Sequence, residues 1–441
     1  MFGRVLVANR GEIACRILRS LGELDVLSLA VHSEADRGAR HVRLADRAIE
    51  IGPAPSSVSY LNIDAILGAA REGGAEAVHP GYGFLAESPA FARAVLDAGL
   101  AWIGPPPEVL ALAGDKVAAV RAFEESGFPV LPSAGPFGEP AAAVEAAREL
   151  GFPVMVKAVM GGGGIGMSVA RDPEMLRSAV ETAGTRAERF FGDPAVYLER
   201  YVPGARHVEV QILADHDRTL HLHERDCSVQ RRHQKVVEES PSPVVDGVLE
   251  RRLCDAAVRS MAAIGYRGAG TVECILAPDG GFFFLEVNAR IQVEHPVTEM
   301  ITGVDLVAEQ LRIADGEGMS LEQAPPRDGH AMEFRVYAED PTTFLPSPGR
   351  LDVLELGPPG DDVRWDLGYE EGDEIPMHYD PLIGKVIVRS GARADTIRRA
   401  EEVLGGLRIE GVKTNVPRLL ELVSRDEAFR SGVYDTGLLG Q

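Results

Sequence analysis

The segment from Gly270 to Pro296, GTVECILAPDGGFFFLEVNARIQVEHP, constrains the fold more than any other stretch of the chain. Two apolar runs flank Asp279-Gly280, a dipeptide that favours the two-residue turns of β-hairpins. With those residues as the loop, Pro278 faces Gly281, and pairing outward in step sets Glu273 directly opposite Glu286. Carboxylates opposed across a strand pair repel. A hard divalent cation turns that repulsion into a binding site, and Mg²⁺ with nucleotide phosphates suits such sparse oxygen ligation. Asn288 lies two residues beyond Glu286, on the same face, and offers a third oxygen. A three-residue loop through Gly281 would instead set Glu273 opposite Val287 and separate the faces. The two residues would then be exposed or arginine-paired glutamates.

The rest of the chain supplies a setting for such a site. Its 441 residues suit about three domains. With 45% hydrophobic and 25% charged residues it has the composition of a soluble globular protein. No apolar run approaches the roughly 18 residues that span a bilayer, and the first residues do not form a secretory signal. The four cysteines show neither CxxC nor zinc spacing, as expected of reduced thiols in the cytoplasm. A net charge of −22 argues against nonspecific nucleic-acid binding, so an anionic ligand needs a local basic site. Lys116, Lys157, Lys235, Lys385 and Lys413 are the only lysines, the other basic residues being arginine. Three of the five fall inside independent motifs.

Along the chain, the first third alternates short apolar strands with amphipathic helices, the pattern of a doubly wound α/β domain. His79, Tyr82 and Glu87 follow a predicted strand, where such sheets bind ligands, although a satisfied turn histidine with packing aromatics fits equally. From about Phe123 the pattern becomes a small α+β module, then strands with long helices, and after PPRDGH, which ends at His330, a β-rich segment with Gly/Pro turns.

Three further motifs carry chemistry. Lys157 lies on a strand four residues before Gly161–Gly164, where bare backbone can approach phosphate oxygens. Neither a Walker lysine nor a following helix is present, so this turn between strands reads as a lid over a triphosphate or as a loose hairpin. ERDCSVQRRHQKVVEE gathers Arg225, Arg231, Arg232, His233 and Lys235. These cations could offset charge on a transferring phosphoryl group, or be a salt-bridged surface loop. In RIQVEHP, Arg290, Gln292 and Glu294 alternate on the arm that continues from Glu286. An arginine can hold a small oxyanion through paired hydrogen bonds and a carboxylate can act as a base, if this is not simply an amphipathic strand with a polar outer face. Continuity with the proposed metal arm favours the first reading.

On VANRGEIACRI, HPGYGFLAE, ERDCSVQRRHQKVVEE, RIQVEHPVTEMITGVDL, FLPSPG and YDPLIGK, the chain closely resembles biotin carboxylase over nearly its whole length. The resemblance implies an α/β and α+β architecture with three parts. These are a Rossmann-like N-terminal domain (1–114), an ATP-grasp domain (115–315) with a mobile glycine-rich lid (about 131–203), and a β-rich C-terminal domain (330–438). It implies ATP contacts at Lys116, Lys157, Gly163, Gly164, Met167, Glu199, Arg200, Tyr201, Val202, His207, Gln230 and His233. It implies Mg²⁺ ligation, by a pair of ions with Mn²⁺ as an alternative, at Glu273, Glu286 and Asn288. Lys235, Arg290, Gln292 and Val293 would form the bicarbonate pocket, Glu294 the base that deprotonates bicarbonate, and Arg335 the group that stabilises the biotin enolate. Bicarbonate would attack the γ-phosphate of ATP to give carboxyphosphate, whose released CO₂ carboxylates biotin.

The expected partners are a biotin carboxyl carrier protein, a carboxyltransferase subunit and a second copy of the chain, with no nucleic acid and no membrane. No lysine here lies between methionines and no carrier module is visible, so biotin is expected on a separate protein. The expected setting is an acetyl-CoA carboxylase of fatty acid biosynthesis, with other acyl-CoA molecules or pyruvate as alternative acceptors. Ile165 and Ser168 stand where the family usually carries basic residues, which predicts weaker ATP capture or slower lid closure. Another ATP-grasp ligase, or a catalytically impaired nucleotide-binding paralogue, are the competing readings.

Overall fold

The computed structural model describes residues 1–158, 168–191, 194–232, 234–358 and 360–440, with backbone alone at 190 and 191. Met160, Gly163, Gly164, Ile165, Met167 and His233 lie outside the described residues.

Strands β1 (Arg4–Val7), β2 (Leu27–His32), β3 (Arg47–Glu50), β4 (Ala77–His79) and β5 (Ala101–Trp102) form a parallel sheet of order β3-β2-β1-β4-β5. Val5, Leu6 and Val7 are wholly buried, as in a sheet covered by helices on both faces. The first crossover helix, Gly11–Glu23, buries Ile13, Ala14, Ile17, Leu18 and Leu21, a helical stripe turned to the sheet.

A four-stranded antiparallel sheet follows, from β6 (Ser133–Phe137), β7 (Val154–Ala158), β8 (Ser168–Ala170) and β9 (Val196–Arg200), in the order β6-β9-β7-β8. Helices Pro140–Leu150 and Pro173–Phe191 bury their apolar sides against it, and Val154, Val156, Val196 and Leu198 complete its core.

The largest sheet has eight strands. β10 (Arg206–Ala214), β11 (Thr219–Arg231), β12 (Gln234–Ser240), β13 (Gly268–Leu276), β14 (Phe282–Asn288) and β15 (His330–Tyr337) join strands Leu382–Ser390 and Val363–Leu367. The order is β14-β13-β10-β11-β12-β15, then Leu382–Ser390 and Val363–Leu367, so one sheet runs without a break into the C-terminal segment. Val208, Val210 and Ile212 of β10 enter the core, while His207, Glu209 and Gln211 face the other way, the alternation of a strand. Phe282 and Phe284 of β14 pack with Phe123 and Phe128, the Phe123 and Phe284 rings stacking at 4.1 Å. Such aromatic pairs add about 0.5–1.5 kcal/mol beyond their burial. Phe284→Ala would cost about 3–5 kcal/mol and loosen the hairpin. Among the described residues no helix is long and apolar enough to cross a membrane.

The hairpin departs from the expected turn. Ala277 N donates to Gly281 O at 2.7 Å, enclosing the three residues Pro278, Asp279 and Gly280, with Gly280 at φ +81°. That loop alone would offset the pairing, and Cys274 does pair with Phe284. A bulge at Leu285 then restores the register, so Glu273 pairs with Glu286 and Thr271 with Asn288. The opposition of the carboxylates is as read from the sequence, but two irregularities cancel to produce it.

Candidate functional site

A cleft of about 420 Å³ lies between the four-stranded and eight-stranded sheets. The small sheet contributes Lys157 from β7 and Glu199 and Arg200 from β9, followed by Tyr201 and Val202. Lys116 enters from the start of its helix. The large sheet contributes His207, Gln230, Lys235, Glu273, Glu286 and Asn288, and the chain leaving β14 adds Arg290, Gln292, Val293 and Glu294. Arg335 of β15 closes the far end.

Lys235 is the hub. Its Nζ donates to Glu209 Oε2 at 2.6 Å, Glu273 Oε1 at 2.7 Å and Glu294 Oε1 at 2.6 Å. Burial alone would discharge this amine, but the three carboxylates outweigh it and hold the ammonium well above its ordinary range. The same attraction acts on the partners. Burial pushes Glu273 up, yet Lys235 and His207 hold it well below the usual carboxylate range. Glu294 is likewise raised by burial and lowered more by Lys235, Arg335 and Arg225. His207 is penalised by burial, but Glu273, 3.0 Å from its Nε2, raises it above an ordinary histidine.

Glu273 also accepts from Asn288 Nδ2 and Gln292 Nε2, both at 2.8 Å. Asn288 Oδ1 in turn accepts from Arg290 Nη2 at 2.8 Å, and Arg290 Nε is 3.2 Å from Glu87. Gln230 Nε2 meets His207 Nδ1 at 2.9 Å and donates to Cys227 O at 2.8 Å. Lys157 is ion-paired with Glu199 and lies over the Tyr197 ring. Lys116 is lowered chiefly by burial, with Glu286 opposing.

Glu286 behaves differently. It has no hydrogen bond or ion pair among the described residues, and burial plus the charge of Glu273 raise it above the usual range, against the pull of Lys116. A half-buried carboxylate facing another without a cationic partner among the described residues fits an oxygen ligand of a hard cation. Glu273 and Asn288 Oδ1 stand beside it as further oxygen donors.

Two other candidates fall elsewhere. His79 is fully buried, its Nδ1 accepts from Gly81 N at 3.0 Å, and burial lowers it to about 3, so it is a neutral turn histidine. Tyr82 is bonded to Glu12, which neighbours Lys385 at 3.2 Å. Of that group, Glu87 alone reaches the cleft residues.

The structure adds Glu209 and Gln211, which sequence reasoning passed over, and gives Arg225 a different setting. Glu209 sits opposite Glu273 on one side and Arg225 on the other. Arg225 is fully buried and donates to Glu209, Gln211, Thr298 and Gln292 at 2.6–2.8 Å, so the suggested surface loop is here interior. The signal was available: H-x-E-x-Q in an otherwise apolar strand puts three polar side chains on one face.

Known proteins match this framework along the whole chain. The model of the biotin carboxylase N-terminal domain matches residues 1–110, that of the carbamoyl-phosphate synthase L chain ATP-binding domain 115–322, and that of the biotin carboxylase C-terminal domain 333–441. The biotin carboxylase of Haemophilus influenzae is 50% identical, over 98% of this chain and 97% of its own. Among solved structures, a Campylobacter jejuni biotin carboxylase–β,γ-ATP complex superposes with TM-score 0.96 at 39% identity, covering 100% of this chain and 98% of its own. The biotin carboxylase domain dimer of Hydrogenobacter thermophilus 2-oxoglutarate carboxylase, with MgADP, ADP and bicarbonate, superposes at 0.95 with 41% identity, over 100% and 97%. The fold and cleft are those of an ATP-dependent carboxylase ligase. The chain belongs to the biotin carboxylase family.

Proposed function

We propose that this chain carboxylates biotin carried on a separate protein, using ATP and bicarbonate by way of carboxyphosphate. The observation that supports it most is Lys235 joined to three carboxylates, with Arg290, Gln292, Glu294 and Arg335 lining the same cleft. In this reading Lys116, Lys157, Glu199 to Val202, His207 and Gln230 hold the nucleotide. Gly163, Gly164, Met167 and His233, outside the described residues, join them on sequence grounds. Glu273, Glu286 and Asn288 hold Mg²⁺, which when bound neutralises phosphate charge.

Bicarbonate then sits against Lys235, Arg290, Gln292 and the Val293 backbone. Glu294 takes its proton. Glu294 is tied to Lys235 and Arg335, which keeps it ionised but weakly basic. A bicarbonate anion drawing Lys235 and Arg335 to itself would weaken that hold and restore basicity to Glu294. Arg335 afterwards supports the negative charge that develops on biotin. The carboxyl acceptor would be a carbon acid beside a carbonyl, an acyl-CoA or 2-oxo acid, presented by a carboxyltransferase partner. The dimeric Hydrogenobacter relative supports a homodimer.

The test is Mg²⁺-dependent ATP hydrolysis with bicarbonate, free biotin added or omitted. Turnover that rises with biotin and fails in Glu294→Gln is expected. Nucleotide binding with no response to biotin or to a biotinylated carrier would overturn the reading.

A further inference from the structure

Behind Arg335 lies another pair of opposed glutamates, with no part in the proposed nucleotide and bicarbonate sites. Glu238 on β12 pairs in register with Glu333 on β15. Both are wholly buried; among the described residues neither Glu333 oxygen has a hydrogen-bond partner, and Glu238 meets Arg335. Arg335, two residues along from Glu333, brings Nη2 to 2.5 Å from Glu238 Oε1 and 3.1 Å from Glu294 Oε2. The guanidinium is therefore suspended between Glu238 and Glu294.

Lys235 of β12, Cys227 of β11 and Tyr337 of β15 neighbour Glu238. Lys385, on strand Leu382–Ser390, exerts the largest attraction on Glu333, but its amine bonds elsewhere, to Val293 O at 2.6 Å and near Glu12 at 3.2 Å. The helix His295–Thr302 packs over this face. Its His295 bonds Gln292 O, and its Glu299 is paired with Arg16 and Arg364. No cation pairs directly with Glu333 among the described residues, and the attraction of Lys385 and Arg335 does not offset its burial. Two ionised carboxylates opposed in such a place are strongly disfavoured, and one of them takes a proton.

We propose that Glu333 is a neutral carboxylic acid and Glu238 the anion, so that a single charge behind Arg335 positions its guanidinium toward Glu294 and biotin. Burial pushes Glu238 up to about 7 and raises Glu333 well above the usual carboxylate range, each raised also by charge on the other or on Glu294, in keeping with one proton held by the pair. Both are positioning residues acting through Arg335. The role assigned to them rests on the biotin carboxylase reading, whereas the protonation state does not.

Infrared difference spectra between wild type and variants, with ¹³C-labelled glutamate carboxyls and at about pH 7, separate the two. Glu333→Gln, isosteric with the neutral acid, is expected to lose a protonated-carboxyl band, and Glu238→Gln a carboxylate band. Loss of a carboxylate band in Glu333→Gln overturns the proposal whatever the enzyme's activity. In steady-state assays, Glu333→Gln should keep kcat/KM for biotin within about threefold, while Glu238→Gln lowers it by about tenfold with KM for ATP unchanged. Equal losses toward ATP and biotin in Glu238→Gln would overturn the positioning role. Should Glu238→Gln not fold, Glu333→Gln decides the matter by its band and its biotin kinetics.

Discussion

Arg10 and Lys235 are both buried cations, one at the end of the parallel sheet and one in the cleft, and their partners differ in kind. Arg10 donates to both oxygens of Asp36, at 2.6 and 2.9 Å, and to Tyr369 at 3.1 Å, with the Tyr379 ring 4.3 Å away. Tyr60 completes Asp36 at 2.5 Å. One cation meets one anion, and nothing is left over. Lys235 instead divides itself among three carboxylates, and near it Glu286 has no hydrogen bond or ion pair among the described residues. Burying unbalanced charge costs stability that better pairing would have supplied. A fold that retains such imbalance in one place, while closing its pairs elsewhere, marks the place where ligands bring the missing charge.

The sharpest test of that contrast is Lys235→Met. Loss of the shared cation should reduce turnover by about 10²–10³-fold, as removal of a preorganised charge does. The folded chain should survive, because the three carboxylates can take up protons. Steady-state ATP hydrolysis with biotin and a thermal melt measure the two effects. A variant that melts far below wild type but turns over normally would erase the distinction between the regions.

Asp36→Asn is the mirror experiment, expected to cost about 3–5 kcal/mol by leaving Arg10 uncompensated. Burial raises Asp36, but Arg10 overcomes this and lowers it below its unfolded value. A carboxylate with a depressed folded pKa stabilises above the unfolded value, and that contribution is lost as pH falls through the folded one. The difference between wild type and Asp36→Asn should therefore be full at neutral pH and shrink below about pH 4. Denaturant melts across that range provide the check, and kcat of the folded fraction should stay at the wild-type value.

Glu286→Gln reverses the sign. Its folded pKa is raised above 4.5. Such a group favours the unfolded state increasingly as pH climbs from the unfolded pKa through the folded one. Without ligands the variant should melt at or above the wild-type temperature at neutral pH. Mg²⁺-dependent ATP turnover should nevertheless fall by at least about tenfold. A lower melting temperature would mean that Glu286 is a structural group whose partner is already in place.

These residues also show what the sequence makes legible. The helices near Gly11, Asn62 and Pro89 follow directly from apolar spacing and caps, with Asn62 and Ser88 accepting from the third residue along. Glu273 and Glu286 were readable because they are local: thirteen residues separate them and one turn joins them. Even so, the loop and the bulge at Leu285 were invisible, since each shifts the register by one and together they leave the pair unchanged. Glu238 and Glu333 stand 95 residues apart, and only the long-range pairing of β12 with β15 makes them neighbours. Glu209 lies between these cases, patterned on its strand but meaningful only once β11 and β13 flank it. Local pattern gives the elements; the charge balance of the site depends on pairings that no window contains.

The smallest effect concerns Ile165, which lies outside the described residues and bears on the comparison through charge alone. The cleft's small-sheet side supplies Lys116 and Lys157 to a polyanionic nucleotide, and Lys157 is shared with Glu199. A basic side chain at 165, which the family resemblance leads one to expect, would add a cation beside the few lysines of the chain. Ile165→Arg should then lower the apparent KM for ATP by a few-fold, about 1 kcal/mol for a partly solvated charge–phosphate contact. Because the gain is electrostatic, it should fade as ionic strength rises from about 0.05 to 0.5 M. An unchanged KM at both salt concentrations would place the limit on nucleotide capture in the lysines that the cleft already holds.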